Sequence, residues 1–412
     1  MRATKAKQAA KPRLGINANL TSALEFEEQG KQIRLLRWER IKTARKLMPK
    51  ERVARCIWSK VAYYVEMWKS KSGKAGHFRK VFTCGSRAMC PVCSAKITER
   101  NKQDLQKAIN NAYGLGWTVF MLTLTLEHHQ HEQFKRVLDE LIKAISRLRG
   151  RRWWYRMIEE YEIEGSVTAL ESTFGLDNGH HPHKHILFFT RRAMSEDDCI
   201  KFENEIKPIY KNILAKYGRK MSKDHGVKVS AGGEYLAEYV AKFGHEPKDK
   251  WTLAHEMTKG GQKVGGLRHG KDAHYTPFQL LDHAAMGDID AAKAFQEYAV
   301  CMKGKAQLDW GPRLRAKLGL DAELSEEEVA AKNDEKDSLP FALADGGAWA
   351  KIKHIPHETC EAIRDMTFDE FKDYMFDQGI YIEPDEFKIT PEIEELQTVK
   401  RHTGKYGKRR KP

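Results

Sequence analysis

The stretch His181-Pro-His183-Lys184-His185-Ile-Leu-Phe-Phe189 sets imidazoles at alternate positions leading into an apolar run. Side chains of an extended strand alternate between faces, so His183 and His185 project together, as two ligands of one divalent cation must. Leu187 and Phe189 share that face, while Lys184, Ile186 and Phe188 take the other. Further along, Gly232-Gly-Glu234-Tyr235-Leu-Ala-Glu238-Tyr239-Val-Ala-Lys242-Phe243 carries two tyrosines four residues apart. A helix presents both hydroxyls on one side, one turn apart. A phenol with a pKa of about 10 is a poor nucleophile at neutral pH. A cation that polarises the phosphate under attack makes such a phenol competent. The plain alternatives are a metal-free histidine pair and two tyrosines packed in an amphipathic core.

Ser166-Val-Thr-Ala-Leu-Glu171-Ser-Thr-Phe174 reads as a strand, and the turn-rich Gly175-Leu-Asp-Asn-Gly-His-His-Pro182 returns the chain into the histidine strand. That hairpin brings Glu171 beside His183 and His185, an N,N,O donor set suited to Mg or Mn. The competing reading leaves Glu171 as a solvent-facing or DNA-proximal acid. His181 joins the same face only if the strand extends through Pro182. Around this hairpin the pattern predicts a helix over about 97–113, a strand from Trp117 to Leu126 and a helix from His131 to Arg149. The latter carries the stripe Phe134, Val137, Leu138, Leu141, Ile145 and Leu148. A helix from Ser195 (its N-cap) to Tyr217 and a short strand at 226–230 lead to the tyrosines. Trp153, Trp154 and Tyr155 are candidates for stacking on bases or for the core.

Cys84-Gly-Ser-Arg-Ala-Met-Cys90-Pro-Val-Cys93 contains a knuckle that turns two thiolates toward one point. Structural zinc needs four ligands. Cys84, Cys90 and Cys93 supply three, and His77 is read as the fourth, with Cys56 the alternative. Inert free thiols are the other possibility. Seven cysteines, an odd number, argue against a disulfide scaffold and suit a reducing cytoplasm.

The formal charge is +15, unevenly spread. Residues 1–320 carry 58 Lys and Arg against 35 Asp and Glu, residues 321–399 carry 7 against 22, and the last thirteen add seven basic residues and no acid. A surplus of that size favours a polyphosphate partner with salt-sensitive affinity. RNA or an anionic membrane surface would satisfy charge alone. No apolar h-region follows Met1 and no run approaches a membrane span, so neither a signal peptide nor a transmembrane helix is expected.

Three of these segments, in this order, resemble the plasmid rolling-circle replication initiators (Rep proteins) of the HUH endonuclease superfamily. Phe120-Met-Leu-Thr123-Leu-Thr125-Leu resembles their first motif, His181 to Phe189 their metal-binding strand, and Tyr235 to Phe243 their nucleophile helix. Thr276-Pro-Phe-Gln-Leu-Leu281, Gln307-Leu-Asp-Trp310 and Leu314 are similar to the region that follows catalysis in these proteins. The resemblance spans roughly Cys84 to Leu320. It implies an α+β fold, with an HUH-type domain whose central antiparallel sheet is flanked by helices, and mainly helical N- and C-terminal regions. It implies Tyr239 as nucleophile, Tyr235 as its partner, and a 5′-phosphotyrosine intermediate on single-stranded or cruciform origin DNA. Glu234 or Glu238 would activate water, Lys242 would face the phosphate, and a host helicase and polymerase would follow in a bacterial cytoplasm. Lys184 departs from the family, where the middle residue of the triplet is usually hydrophobic.

Five regions follow: a basic arm and helical region (1–75), a Cys-rich segment with its lead-in helix (76–116), and the endonuclease domain (117–245). A basic loop with helices (246–320) and an acidic region with a basic tail (321–412) complete the chain. Related HUH enzymes, a single-strand transposase or a relaxase, are the nearer alternative function. Relaxases typically carry their tyrosine before the histidines, the reverse of the order here. A non-catalytic zinc-containing DNA-binding regulator is the more distant one.

Overall fold

The computed structural model describes residues 23–73, 75–222, 225–231, 274–332 and 338–382. Helix α1 (Ala23–Leu47) is followed by a short 3-10 turn (Arg52–Arg55), strand β1 (Val65–Ser70) and strand β2 (His77–Arg79). Helix α2 (Pro91–Gly114) begins where Cys90 caps it, the thiol accepting from the Cys93 N–H, with Pro91 in the first turn. Strand β3 (Thr118–Thr125) and helix α3 (Phe134–Arg149) come next, and the whole expected stripe of α3 is buried. Then follow α4 (Arg152–Glu160), β4 (Ile163–Gly175) and β5 (Gly179–Thr190). Helix α5 (Glu196–Ala215) opens with a reciprocal cap between Ser195 and Asp198, and β6 (Val227–Ala231) follows.

Beyond residue 273 lie β7 (His274–Tyr275), α6 (Pro277–Ala285), α7 (Ile289–Met302), β8 (Leu308–Trp310) and α8 (Leu314–Lys317). The C-terminal part holds α9 (Glu326–Ala331), β9 (Ser338–Ala344), α10 (Gly346–Ile352), α11 (Pro356–Asp365) and α12 (Phe368–Asp377). No helix among the described residues is long and apolar enough to cross a membrane.

The central sheet is antiparallel, in the order β6-β3-β5-β4, with β7 and β8 pairing different stretches of the outer edge of β4. Both faces of its middle strands are covered, which is why β3 and β5 read as nearly continuous apolar runs. One face buries Phe120, Leu122, Leu124, Ile186 and Phe188 under α3, α4 and α5. The opposite face buries Val119, Val167, Leu187 and Phe189 under α2 and the segment containing Leu314 and Leu318. The expected α+β architecture is therefore present, with His183 and His185 of β5 on the α2 side.

A second sheet, β2-β1-β9, joins the N-terminal part to the C-terminal part. The N-terminal region, expected to be helical over 1–75, contains a strand at residues 65–70. Val61 and Val65 mimic a helical stripe, whereas the partner that makes Val65–Ser70 extended lies in Ser338–Ala344. Tertiary pairing overrides local periodicity here. A core containing Ile41, Val53, Met67, Phe341, Trp349 and Ile363 fills this half, and the four buried cysteines at 56, 84, 90 and 93 belong to it.

Candidate metal centres

The register of β4 on β5 sets Glu171 directly opposite His183. On the other flank β3 sets Thr125 opposite His183 and Thr123 opposite His185. Directly paired residues share a face, so all five side chains converge on one side of the sheet. Glu171 Oε2 lies 3.2 Å from His183 Nε2 and 3.9 Å from His185 Nε2. The two imidazoles stand 4.8 Å apart, centroid to centroid.

One ligand atom from each of Glu171, His183 and His185 lies within 4.8 Å of the others. Glu171 and His185 are buried, and His183 is half-buried. A carboxylate at that depth, facing two imidazoles, calls for a cation. Two nitrogens and one oxygen are compatible with a divalent ion and leave coordination positions open. The hydroxyl of Thr123 sits 2.9 Å from His185 Nδ1. By accepting from Nδ1–H it can leave Nε2 as the ligand atom, the usual office of an outer partner in a metal site.

The second cluster is all sulfur. Cys56, Cys84, Cys90 and Cys93 bring their Sγ atoms together, with contacts of 3.5 Å (Cys56–Cys93), 3.6 Å (Cys56–Cys90) and 3.7 Å (Cys84–Cys93). Each is at most 1% exposed. Burial pushes the Cys90 thiol up, while hydrogen bonds from Cys56 and the other two thiols push Cys93 down. His77, the expected fourth ligand, is not in the group. It lies on β2 opposite Trp68, with Nε2 3.4 Å from Ser338 Oγ. Cys56 takes its place because the 3-10 turn after α1 folds back over the knuckle.

A family model described as "Replication protein" matches residues 75–200, a stretch holding every ligand named above except Cys56. "Protein rep" of Streptomyces lividans is 24% identical over 326 residues, covering 64% of this chain and 68% of that relative. No solved structure matches. Residues 75–200 are thus similar to known replication proteins, and the likeness to one Rep sequence extends over most of the chain.

The other expected residues meet different outcomes. Tyr235, Tyr239, Glu234, Glu238 and Lys242 lie outside the described residues. Lys184 points away from the ligands, between Leu124 and Leu170 in register, where burial lowers its pKa beside Arg149. Trp153 and Trp154 are buried against the sheet rather than open to bases, and only their neighbour Tyr155 is exposed. β5 does run through Pro182, so His181 shares the ligand face.

Two residues passed unnoticed in the sequence. His128, just after β3, brings Nε2 within 2.7 Å of His181 Nδ1, and burial lowers its pKa. Strand alternation does not reach it, because it sits in a loop. Lys228 pairs with Thr123 across β6 and β3, which puts an exposed ammonium on the ligand face two strands across from His185. Its place in the alternation of β6 would have revealed it.

Proposed function

We propose that this protein is a plasmid Rep replication initiator that nicks and rejoins single-stranded origin DNA, with Tyr239 as nucleophile and Glu171, His183 and His185 as ligands of a Mg or Mn ion. The observation that carries the reading is a buried carboxylate set between two imidazoles on the sheet face that also carries Lys228. A cation bound there would polarise the scissile phosphate and stabilise the charge that develops on it. The Tyr239 oxygen forms the new bond to phosphorus as the bond to the 3′ oxygen breaks. The phenol loses its proton and the 3′ oxygen leaves as a hydroxyl for a host polymerase to extend, with a helicase opening the duplex. Tyr235, or water activated by Glu234 or Glu238, serves the second transesterification. Lys228 and Lys242 hold phosphate oxygens.

Chain reach supports this assignment. Ala231, the last described residue before the tyrosines, pairs with Phe120, three positions along β3 from Thr123. That is roughly 10 Å along the strands and two strand spacings across from His185, about 14 Å in all. Tyr239 is eight positions beyond Ala231, and eight positions of extended chain reach at most about 27 Å. The tether is long enough to bring Tyr239 over the ligands.

The test is to incubate the full chain with Mn and a single-stranded oligonucleotide from the origin of its replicon. A covalent protein–DNA adduct is expected from the wild type, and none from Tyr239→Phe. If Tyr239→Phe forms adduct at the wild-type rate and Tyr235→Phe does not, the nucleophile has been misassigned. Absence of any metal-dependent cleavage would leave a DNA-binding regulator in its place.

A further inference from the structure

We propose that Cys56, Cys84, Cys90 and Cys93 bind a single zinc ion, and that this ion staples the turn after α1 to the start of α2. Four thiolates around zinc, each at about 2.3 Å, form a tetrahedron with edges of about 3.8 Å. The three Sγ contacts of 3.5, 3.6 and 3.7 Å already approach that figure. A disulfide needs sulfurs about 2 Å apart and joins them two by two, whereas here Cys56 and Cys93 each contact more than one other sulfur.

The backbone is shaped to deliver these sulfurs. Ile57, directly after Cys56, has φ +51°, a left-handed conformation that a β-branched residue adopts only when its surroundings enforce it. Its N–H donates to the Phe82 carbonyl at 2.7 Å, tying this bend to the segment that ends in Cys84. Gly85 follows Cys84 at φ +65°, where a Cβ would meet Glu327. Backbone N–H groups of Cys84, Ser86 and Cys93 point at the sulfurs of Cys56, Cys84 and Cys90, at 3.4, 3.5 and 3.4 Å. Such donors stabilise bound thiolates. Zinc with four thiolates carries net negative charge, and Arg45 and Lys96 lie close enough to interact with the cysteines electrostatically.

The staple is long-range. Cys56 stands 28 positions before Cys84, so the ion ties the N-terminal part to the knuckle rather than closing a local finger. From the knuckle, α2 runs onto the sheet face that carries Glu171, His183 and His185, burying Leu105, Ala108, Ile109 and Ala112 there. Ala88, within the knuckle, packs in one cluster with Leu170, the neighbour of Glu171. Zinc therefore anchors the support of the Glu171 strand while standing apart from its chemistry.

The experiment is elemental analysis of the full-length protein after dialysis against EDTA. About one zinc per chain is expected to remain, falling to near none in Cys56→Ser and staying unchanged in His77→Ala. Cobalt-loaded wild type should show the intense thiolate-to-cobalt absorption of a four-sulfur site. Should Cys56→Ser fail to fold, wild-type protein is titrated with an organomercurial beside a zinc-responsive dye, and zinc should appear only as thiols are consumed. Iron in place of zinc, no retained metal, or zinc lost from His77→Ala and kept in Cys56→Ser would each overturn the proposal. None of these readouts involves DNA cleavage, so the result stands apart from the nicking assignment.

Discussion

The two ligand clusters of this protein differ in the way that separates holding from reacting. The cysteine cluster offers four soft donors, all fully buried, arranged so that a tetrahedral ion has no remaining face. The β4–β5 cluster offers three harder donors, one of them partly exposed, and three donors leave positions around a divalent ion unfilled. The first draws on the turn after α1, the loop beyond β2 and the cap of α2. The second is written almost wholly into one hairpin. A site that joins distant segments suits an anchor, and a site on paired strands suits precise placement of reactive groups.

The sharpest way to break the contrast is to remove a ligand from the open cluster. Glu171→Ala should lower nicking by about 10³-fold, the loss of several kcal/mol of charge stabilisation, with zinc content and melting temperature unchanged. A parallel loss of zinc would show that the clusters are not independent.

Acid should strike the histidine end of the sheet first. His180 stacks on Phe134 with ring centroids 4.4 Å apart, gives a 3.0 Å contact to the Ala294 carbonyl, and is pushed down by burial to about 4. Its neutral form is favoured in the folded state. Its contribution is therefore complete above the unfolded pKa of about 6.5 and is lost as pH falls from there toward 4. The loss amounts to about 3 kcal/mol. Denaturant melts across that range should show the loss in wild type and a smaller one in His180→Gln.

Thr123→Val tests the outer support. It should weaken Mn affinity by roughly 10- to 100-fold, with the maximal nicking rate recovered in excess Mn. A rate that stays low at saturation would place Thr123 in the chemistry itself. The smallest effect belongs to Lys228→Ala. Oligonucleotide affinity should fall modestly, and the slope of log affinity against log salt should become shallower by about 0.7, one single-strand phosphate contact. An unchanged slope would remove Lys228 from the DNA path.

Much of the reactive hairpin was legible in the chain because its information is local. Alternation alone assigned His183, His185, Leu187 and Phe189 to one face, and the turn residues after Phe174 predicted the pairing that brings Glu171 to His183. The stripe of α3 and the Ser195 cap were equally direct. His181 was held back by Pro182, which normally interrupts a strand. Here β3 ends opposite His183, and the Thr125 hydroxyl donates to the Pro182 carbonyl at 2.9 Å, so the strand continues. Cys56 was harder to choose over His77, because the deciding feature is a left-handed Ile57 that no propensity predicts. β1 was misread as helix for a related reason: its partner β9 is far away in sequence.

The position of β1 between β2 and β9 has a consequence for synthesis. A nascent polypeptide emerging from the ribosome carries β1 early, yet the strand that covers its second edge comes only with Ser338–Ala344. Until then that rim offers free backbone groups to any neighbouring chain. Slow elongation between the two would prolong the interval in which newly made molecules stick to one another.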